Sequence, residues 1–327
     1  MRIITRPDFD GIVCAVLLCE ALDIDEQIYW VEPNMMHTGQ VEVHNRDIIT
    51  NLAYHPNCLL WFDHHVTNRV AVPFNGAFKI APSAAGIVFD FLNRLDPGKN
   101  SKDNAGIASR VRKFKRDYTE LAAAADKIDS AQLTLHEVEH PEKYPYVMLA
   151  MTIFSHISAD EPYWNRLVEL LRKHEIREVL KDPEVKQRIK ASLKRNKTYA
   201  SLLKKHTVFN RHISITDFRS FKKEPTGNRF LVFSLFPGSS VNVKIRHHDE
   251  DREKIIASIG RNIFNSRCHV NAGLLCARFE GGGHFGAGSC TFHVSKTDEY
   301  LSIILDTLLK NQPPATTPPD DKNALKD

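Results

Sequence analysis

A short run of large apolar side chains, Leu60-Trp61-Phe62, gives way without transition to Asp63-His64-His65. Few stretches constrain a chain more. Four to six apolar residues ending in ligand-type side chains fit a buried strand of an α/β sheet, which delivers its polar groups at the C-terminal edge. Imidazole nitrogen and carboxylate oxygen together suit a divalent metal and can also address a phosphate. A second junction of the same kind opens the chain. Arg2-Ile3-Ile4-Thr5 reads as a strand, Arg6 to Gly11 as a turn and Ile12 to Leu22 as a buried helix, with Asp8 and Asp10 between strand and helix. Two carboxylates two residues apart repel unless a cation lies between them. Asp10 could instead cap the following helix, but that reading leaves Asp8 idle.

The segments Gln27–Val31, Asp47–Leu52 and Cys58–Phe62 continue the pattern of short apolar strands separated by helices or long loops. They predict an α/β fold, with a mainly parallel sheet covered by helices in an N-terminal domain. At 327 residues the chain has room for two domains. No apolar run approaches the roughly 18 residues of a membrane span, and the start lacks a basic region before an apolar core. The six cysteines show no C-x-x-C spacing. Reduced thiols and a cytoplasmic, membrane-free protein are expected. A net charge of +4 is too mild to argue for nucleic acid.

Ser83, in Pro82-Ser83-Ala84-Ala85-Gly86, reads as a helix cap rather than a nucleophile, because no base is paired with it. Leu121 to Ser130 is an Ala-rich helical stretch carrying Asp126 and Asp129 at its end. From Tyr146 to about His206 the pattern is helical and increasingly charged, with twelve Lys or Arg against four Asp or Glu between Arg172 and Lys205. That balance reads first as a solvated connector, and second as a cationic flank for polyanions. Beyond Thr207 a smaller α/β domain is expected, with strands at His212–Thr216, Arg229–Phe236 and Ser240–Ile245 and an amphipathic helix over about Arg252–Phe264. Gly281-Gly282-Gly283 would let a backbone approach an anion closely, with His284 as an added donor. Arg246, at a strand end, is either a phosphate fork or a surface charge. The sequence from 312 to 327, rich in Pro and Thr, is expected to be an unstructured tail.

Pro7-Asp8-Phe9-Asp10-Gly11, Asp63-His64-His65 and Gly281-Gly282-Gly283-His284, in that order, resemble the signatures of the DHH phosphoesterase superfamily with its associated C-terminal domain. RecJ-type exonucleases, nano-RNases, cyclic-dinucleotide phosphodiesterases and exopolyphosphatases share them. The resemblance implies domains at 1–185, including a helical connector, and at 206–311. It implies a metal-dependent phosphohydrolase, with one or two Mn2+ or Mg2+ ions at Asp8, Asp10, His64 and Asp126, Asp129 being held in reserve. His65 would address the phosphoryl or leaving oxygen, and Asp63 would orient the histidines. Arg246, Gly281, Gly282, Gly283 and His284 would hold the substrate, a small nucleotide or short oligonucleotide, and a homodimer is compatible with it. Two positions depart from the family. The place that usually bridges two metals falls on Asn51 or, in a shifted register, on Asp47, and Ile4 stands where many members carry a His, although RecJ-type members lack it too. Those departures favour one metal over two. They also keep two alternatives open: an exopolyphosphatase or pyrophosphatase, and a nucleotide sensor without catalysis.

Overall fold

In the computed structural model, residues 1–95, 107–153 and 160–312 are described. The expected tail, from 313 onward, lies outside them. The chain divides into two compact units, Met1–Leu133 with His140–Ala191, and Thr134–Glu139 with Ser192–Asp327.

The first unit is built on five parallel strands, β1 (Arg2–Thr5), β2 (Tyr29–Trp30), β3 (Asp47–Thr50), β4 (Leu60–Asp63) and β5 (Gly76–Phe78), in the order β2-β1-β3-β4-β5. Its helices are α1 (Phe9–Ala21), α2 (Pro33–His37), α3 (Ala84–Arg94) and α4 (Thr119–Asp129), then, beyond α5 (Leu135–Glu139) of the second unit, α6 (Pro145–Ala150), α7 (Glu161–Lys173) and α8 (Ile176–Val179). Helix α9 (Pro183–His206) starts in the first unit and ends in the second. Both faces of the sheet are covered, as its apolar strands require. Leu60 and Phe62 join the core with α1 and α3, while Trp61 points the other way, stacked on Phe78 at 5.3 Å and edge-on to Phe74 at 4.8 Å. Burial of Trp61 and Phe62, neither of them accessible, contributes about 2–3 kcal/mol each. Helix α1 is buried from Phe9 to Leu18 because α3, α4 and α7 all pack on it.

This strand order has a topological switch. β2 lies on one side of β1, and β3, β4 and β5 follow on the other, so the crevice at the C-terminal ends of β1 and β3 is where such a sheet takes a ligand. Asp8 and Asn51 follow those ends, and the Asp63-His64-His65 triplet lies at the C-terminal end of the neighbouring β4. Asp47 sits at the opposite end of β3, where the Arg2 guanidinium grips both its oxygens at 2.9 and 2.6 Å. It therefore cannot fill the bridging place, and the shifted register is ruled out.

The second unit carries a mixed sheet of six strands, β6 (Thr207–Asn210), β7 (Ile213–Asp217), β8 (Val241–His247), β9 (Lys254–Arg261), β10 (Gly281–Gly283) and β11 (Ala287–His293), in the order β10-β11-β9-β8-β7-β6. The helices are α5, α10 (Leu231–Leu235), α11 (Ala272–Ala277) and α12 (Thr297–Lys310). Two expectations are corrected here. The run around Leu231–Leu235 is helical, not extended, since a short apolar run fits either period and its Asn228 start and Pro237 stop suit a single helical turn or two. The segment read as an amphipathic helix is β9, with Ile255, Ala257 and Ile259 buried in alternation between β8 and β11. Among the described residues no helix is long and apolar enough to cross a membrane, and all six cysteines are free thiols.

Candidate active site

Helix α1 begins immediately after β1, so its first turn is locked to the strand end. Asp8, not Asp10, is the cap: its Oδ1 accepts from Gly11 N at 2.9 Å and also from Asn51 Nδ2 at 3.0 Å. Gly11 is required there because a Cβ would lie 1.9 Å from the Arg6 carbonyl oxygen. Asp10, 2% exposed, instead turns inward and accepts from Ala84 N at 3.0 Å and Ala85 N at 2.7 Å, the first amides of α3. Two N–H groups at a helix N-terminus hold a carboxylate well. Burial nevertheless pushes Asp10 well above the usual carboxylate range, with the charges of Asp129 and Asp8 adding to it.

At the end of β4, Asp63 is inaccessible and fully engaged. Its Oδ1 accepts from the backbone of His64 at 2.8 Å and of His65 at 3.3 Å, and from His65 Nδ1 at 2.7 Å, while Oδ2 accepts from Asn68 Nδ2 at 2.7 Å. It orients the histidines. Burial alone would lower the His65 pKa, but the Asp63 hydrogen bond and charge outweigh it, so the net shift is upward. His64 is aimed differently. Its Nδ1–H donates to the Ala81 carbonyl at 3.0 Å, which fixes the tautomer and leaves the Nε2 lone pair facing Asp129 Oδ2 at 3.3 Å and Asp10 Oδ2 at 3.8 Å. That Nε2 is buried without a hydrogen-bond partner, and so is Asn51 Oδ1. Orphaned buried acceptors are rare and costly.

Asp10, His64 and Asp129 bring ligand atoms within 4.8 Å of one another, as do Asp63, His64 and His65. Asp129 is also shifted upward, by burial first and then by the charge of Asp8, against the opposing pull of His64, His65 and Arg6. Carboxylates crowded in this way are stabilised by a cation. The residues present thus fit a divalent ion.

Asp126 has another task. It accepts from Ser83 Oγ at 2.6 Å, and Ser83 Oγ in turn accepts from Gly86 N at 3.0 Å as the cap of α3. Asp129, one helical turn further along α4, and not Asp126 brings a carboxylate to the Asp10–His64 cluster. Asp126 steadies the helix end that grips Asp10. Ser83 caps, as its sequence context predicts.

In the second unit the three glycines form β10, paired with β11 in the register Gly281↔Cys290, Gly282↔Ser289 and Gly283↔Gly288, rather than an open nest. A Cβ at Gly281 would meet Ser289 O at 2.2 Å, and at Gly283, where φ is +143°, Ala287 O at 2.3 Å. Gly282 and Gly286 face open space. His284, at the turn, is exposed and its backbone N–H donates to Ala287 O at 2.7 Å. Arg246 lies on β8, two strands from β11, and is committed to Glu224 at 2.8 Å and Asp249 at 3.4 Å, with Lys244 also on Glu224. Sequence reasoning missed Arg261. It ends β9 beside β11, its backbone N–H donates to Gly286 O at 2.8 Å, and its guanidinium lies 4.2 Å from the centroid of the half-exposed Phe285 ring. Its Nε is buried without a partner. The signal was available: β9 read as a strand puts Arg261 at its end.

No family model matches the sequence, and no curated protein does. Solved structures do. The chain is similar to PggH, a pGpG-specific phosphodiesterase from Vibrio cholerae, with a TM-score of 0.75 and 27% identity over 95% of this chain and 99% of that one. It shares its fold with RecJ from Thermus thermophilus in complex with Mn2+, at a TM-score of 0.54 and 12% identity over 96% of this chain and 53% of RecJ. It also shares it with an exopolyphosphatase-related protein from Bacteroides fragilis, at 0.53 and 11% over 94% and 91%.

Proposed function

We infer that this chain, a member of the DHH phosphoesterase superfamily, is a divalent-metal-dependent phosphoesterase acting on a small nucleotide or short oligonucleotide. The observation that carries the reading is the Asp10–His64–Asp129 cluster at the switch point of the parallel sheet, with His64 Nε2 buried without a hydrogen-bond partner and its tautomer fixed by Ala81. Bound there, a divalent ion lowers the pKa of a water toward neutrality and offsets charge on phosphorus in the transition state. A mixed set of imidazole and carboxylate suits Mn2+ better than Mg2+, which keeps to oxygen. His65, biased toward its protonated form by Asp63, is the donor for the leaving oxygen. Hydrolysis then balances: the water oxygen bonds to phosphorus, the ester P–O bond breaks, His65 protonates the departing alkoxide, and the proton that the water loses restores His65.

Within the second unit, Gly282, His284 and Arg261 are the groups proposed to meet a nucleotide or phosphate, and Arg246 stays a weaker candidate because its carboxylate partners must be displaced first. Phe285 favours a nucleotide over polyphosphate, since an aromatic face backed by a guanidinium offers a base a stacking surface and gives an inorganic chain nothing. The test is product release by the purified chain with Mn2+ across pGpG, other dinucleotides, cyclic dinucleotides, phosphoadenosine phosphate and polyphosphate. Turnover of a dinucleotide, with a several-fold higher KM in Phe285→Ala, supports the reading. Turnover of polyphosphate alone replaces it with the anhydride hydrolase.

A further inference from the structure

We propose that Arg6 stands in for a second metal ion: the site holds one divalent cation, at Asp10, His64 and Asp129, and the Arg6 guanidinium supplies the other positive charge to the phosphoryl group. The catalytic half of this inference rests on the phosphoesterase reading; the count of ions does not.

Asp8 is the residue that separates one ion from two. Both oxygens of Asp8 already face other groups, and a shared metal would have to displace Arg6 from Oδ2. Oδ1 accepts from Gly11 N and Asn51 Nδ2, and Oδ2 faces Arg6 Nε at 3.2 Å. The cluster of ligand atoms accordingly contains Asp10, His64 and Asp129 and leaves Asp8 beside it. Asn51 reinforces this arrangement. It leaves β3 in the left-handed region, at φ 56°, with its N–H on Phe62 O at 3.0 Å, so its amide is fixed and its Nδ2 donates to Asp8 as no carboxylate could.

Charge decides the stoichiometry. Asp8, Asp10 and Asp129 carry three negative charges and Arg6 one positive, a net of minus two that a single divalent ion cancels. Before a phosphate ester binds, a second ion would leave the pocket with two uncancelled positive charges at close range. With aspartate at 51 and a neutral residue at 6, four carboxylates would be balanced by two ions.

Arg6 is also placed to act on substrate. Its backbone is pinned by the close approach of Gly11. Its side chain is one-third exposed and lies beside Asp8 Oδ2. Its Nε makes no hydrogen bond of good geometry in spite of being buried. A guanidinium offers five N–H donors in a plane, and among the described residues Asp8 is the ion-pair partner of this one. As the P–O bond breaks, charge gathering on the non-bridging oxygens finds those donors already in place.

The test counts Mn2+ on the full chain by elemental analysis after equilibrium dialysis, alongside kinetics. Wild type is expected to hold one ion per chain, and the double variant Arg6→Gln, Asn51→Asp two. Arg6→Gln alone should keep one ion and lose about 10²–10³-fold in kcat, with Arg6→Lys recovering most of the loss. Circular dichroism of each variant checks the fold, and Arg6→Met carries the kinetic test if Arg6→Gln does not fold. Two tightly held ions in wild type, one in the double variant, or an Arg6→Gln enzyme at full kcat would each overturn the proposal. A wild type that hydrolyses nothing in the panel would sink the phosphoesterase reading instead, and the ion count would still judge this one.

Discussion

Asp126 and Asp129 lie one turn apart on α4, and replacing each by Asn should separate structure from metal binding. Asp126→Asn keeps the shape but weakens the 2.6 Å bond from Ser83, which is wholly buried. A hydrogen bond to a charged acceptor contributes about 1.5–3 kcal/mol and a neutral one about 0.5–1.5, so the loss is about 1–1.5 kcal/mol. For a unit of this size that lowers Tm by about 2–6 °C. Mn2+ affinity should fall only modestly, because Asp126 acts through the α3 cap that holds Asp10. Asp129→Asn should behave in the opposite way. It removes a carboxylate from a crowd of like charges, so the metal-free protein should gain stability, while Mn2+ affinity drops by more than the roughly 10–100-fold that outer partners of a metal site cost. Differential scanning calorimetry and Mn2+ titration calorimetry on both variants give the answer. If Asp126→Asn loses the metal and Asp129→Asn retains it, the assignment drawn from the geometry is wrong.

Other outcomes follow from the same contacts. Burial and neighbouring charge raise Asp10 and Asp129 in the folded state, so their contribution to stability is fully present below the unfolded carboxylate pKa of about 4 and is lost as pH rises through the folded values. Metal-free protein should therefore lose stability across that rise, and saturating Mn2+ should flatten the slope; identical pH profiles with and without Mn2+ would count against the site. Asp63→Asn should lower the His65 pKa, read by NMR titration of the ring protons, and cut kcat more than it changes Mn2+ affinity. Asp47→Ala should cost about 3–5 kcal/mol by stranding Arg2, measured by urea unfolding, with no change in the number of ions bound.

Much of the first unit could be read from the residues, because strand ends that carry ligands announce themselves. Short apolar stretches, Ile3-Ile4 ahead of Asp8 and Asp10 and Leu60-Trp61-Phe62 ahead of Asp63-His64-His65, leave little choice but parallel strands with their chemistry at the C-terminal edge. The choice between Asp126 and Asp129 was not legible, since both face the same way on one helix and only the position of Ser83 assigns the first to a cap. Which of Asp8 and Asp10 caps α1 was not legible for a like reason: a cap and an inward carboxylate two residues apart look alike until α3 is in place to receive Asp10. In the second unit Ile255, Ile256 and Ile259 fit a helical period as well as an alternating one. Mistaking β9 for a helix hid Arg261 and left Arg246 as the visible strand-end cation. Sheet order, a long-range property, resolves it: β9 neighbours β11, the partner of the glycine strand, and β8 does not.

The measurement that bears most directly on the central claim is hydrolysis of pGpG by the purified chain with Mn2+, compared with His64→Ala. The account predicts mononucleotide release by wild type, none when the metal is chelated, and a loss of at least about 10³-fold in His64→Ala together with its Mn2+ binding. Release that persists in His64→Ala, or no turnover of any phosphate ester while Mn2+ binds at the Asp10–His64–Asp129 cluster, would contradict it.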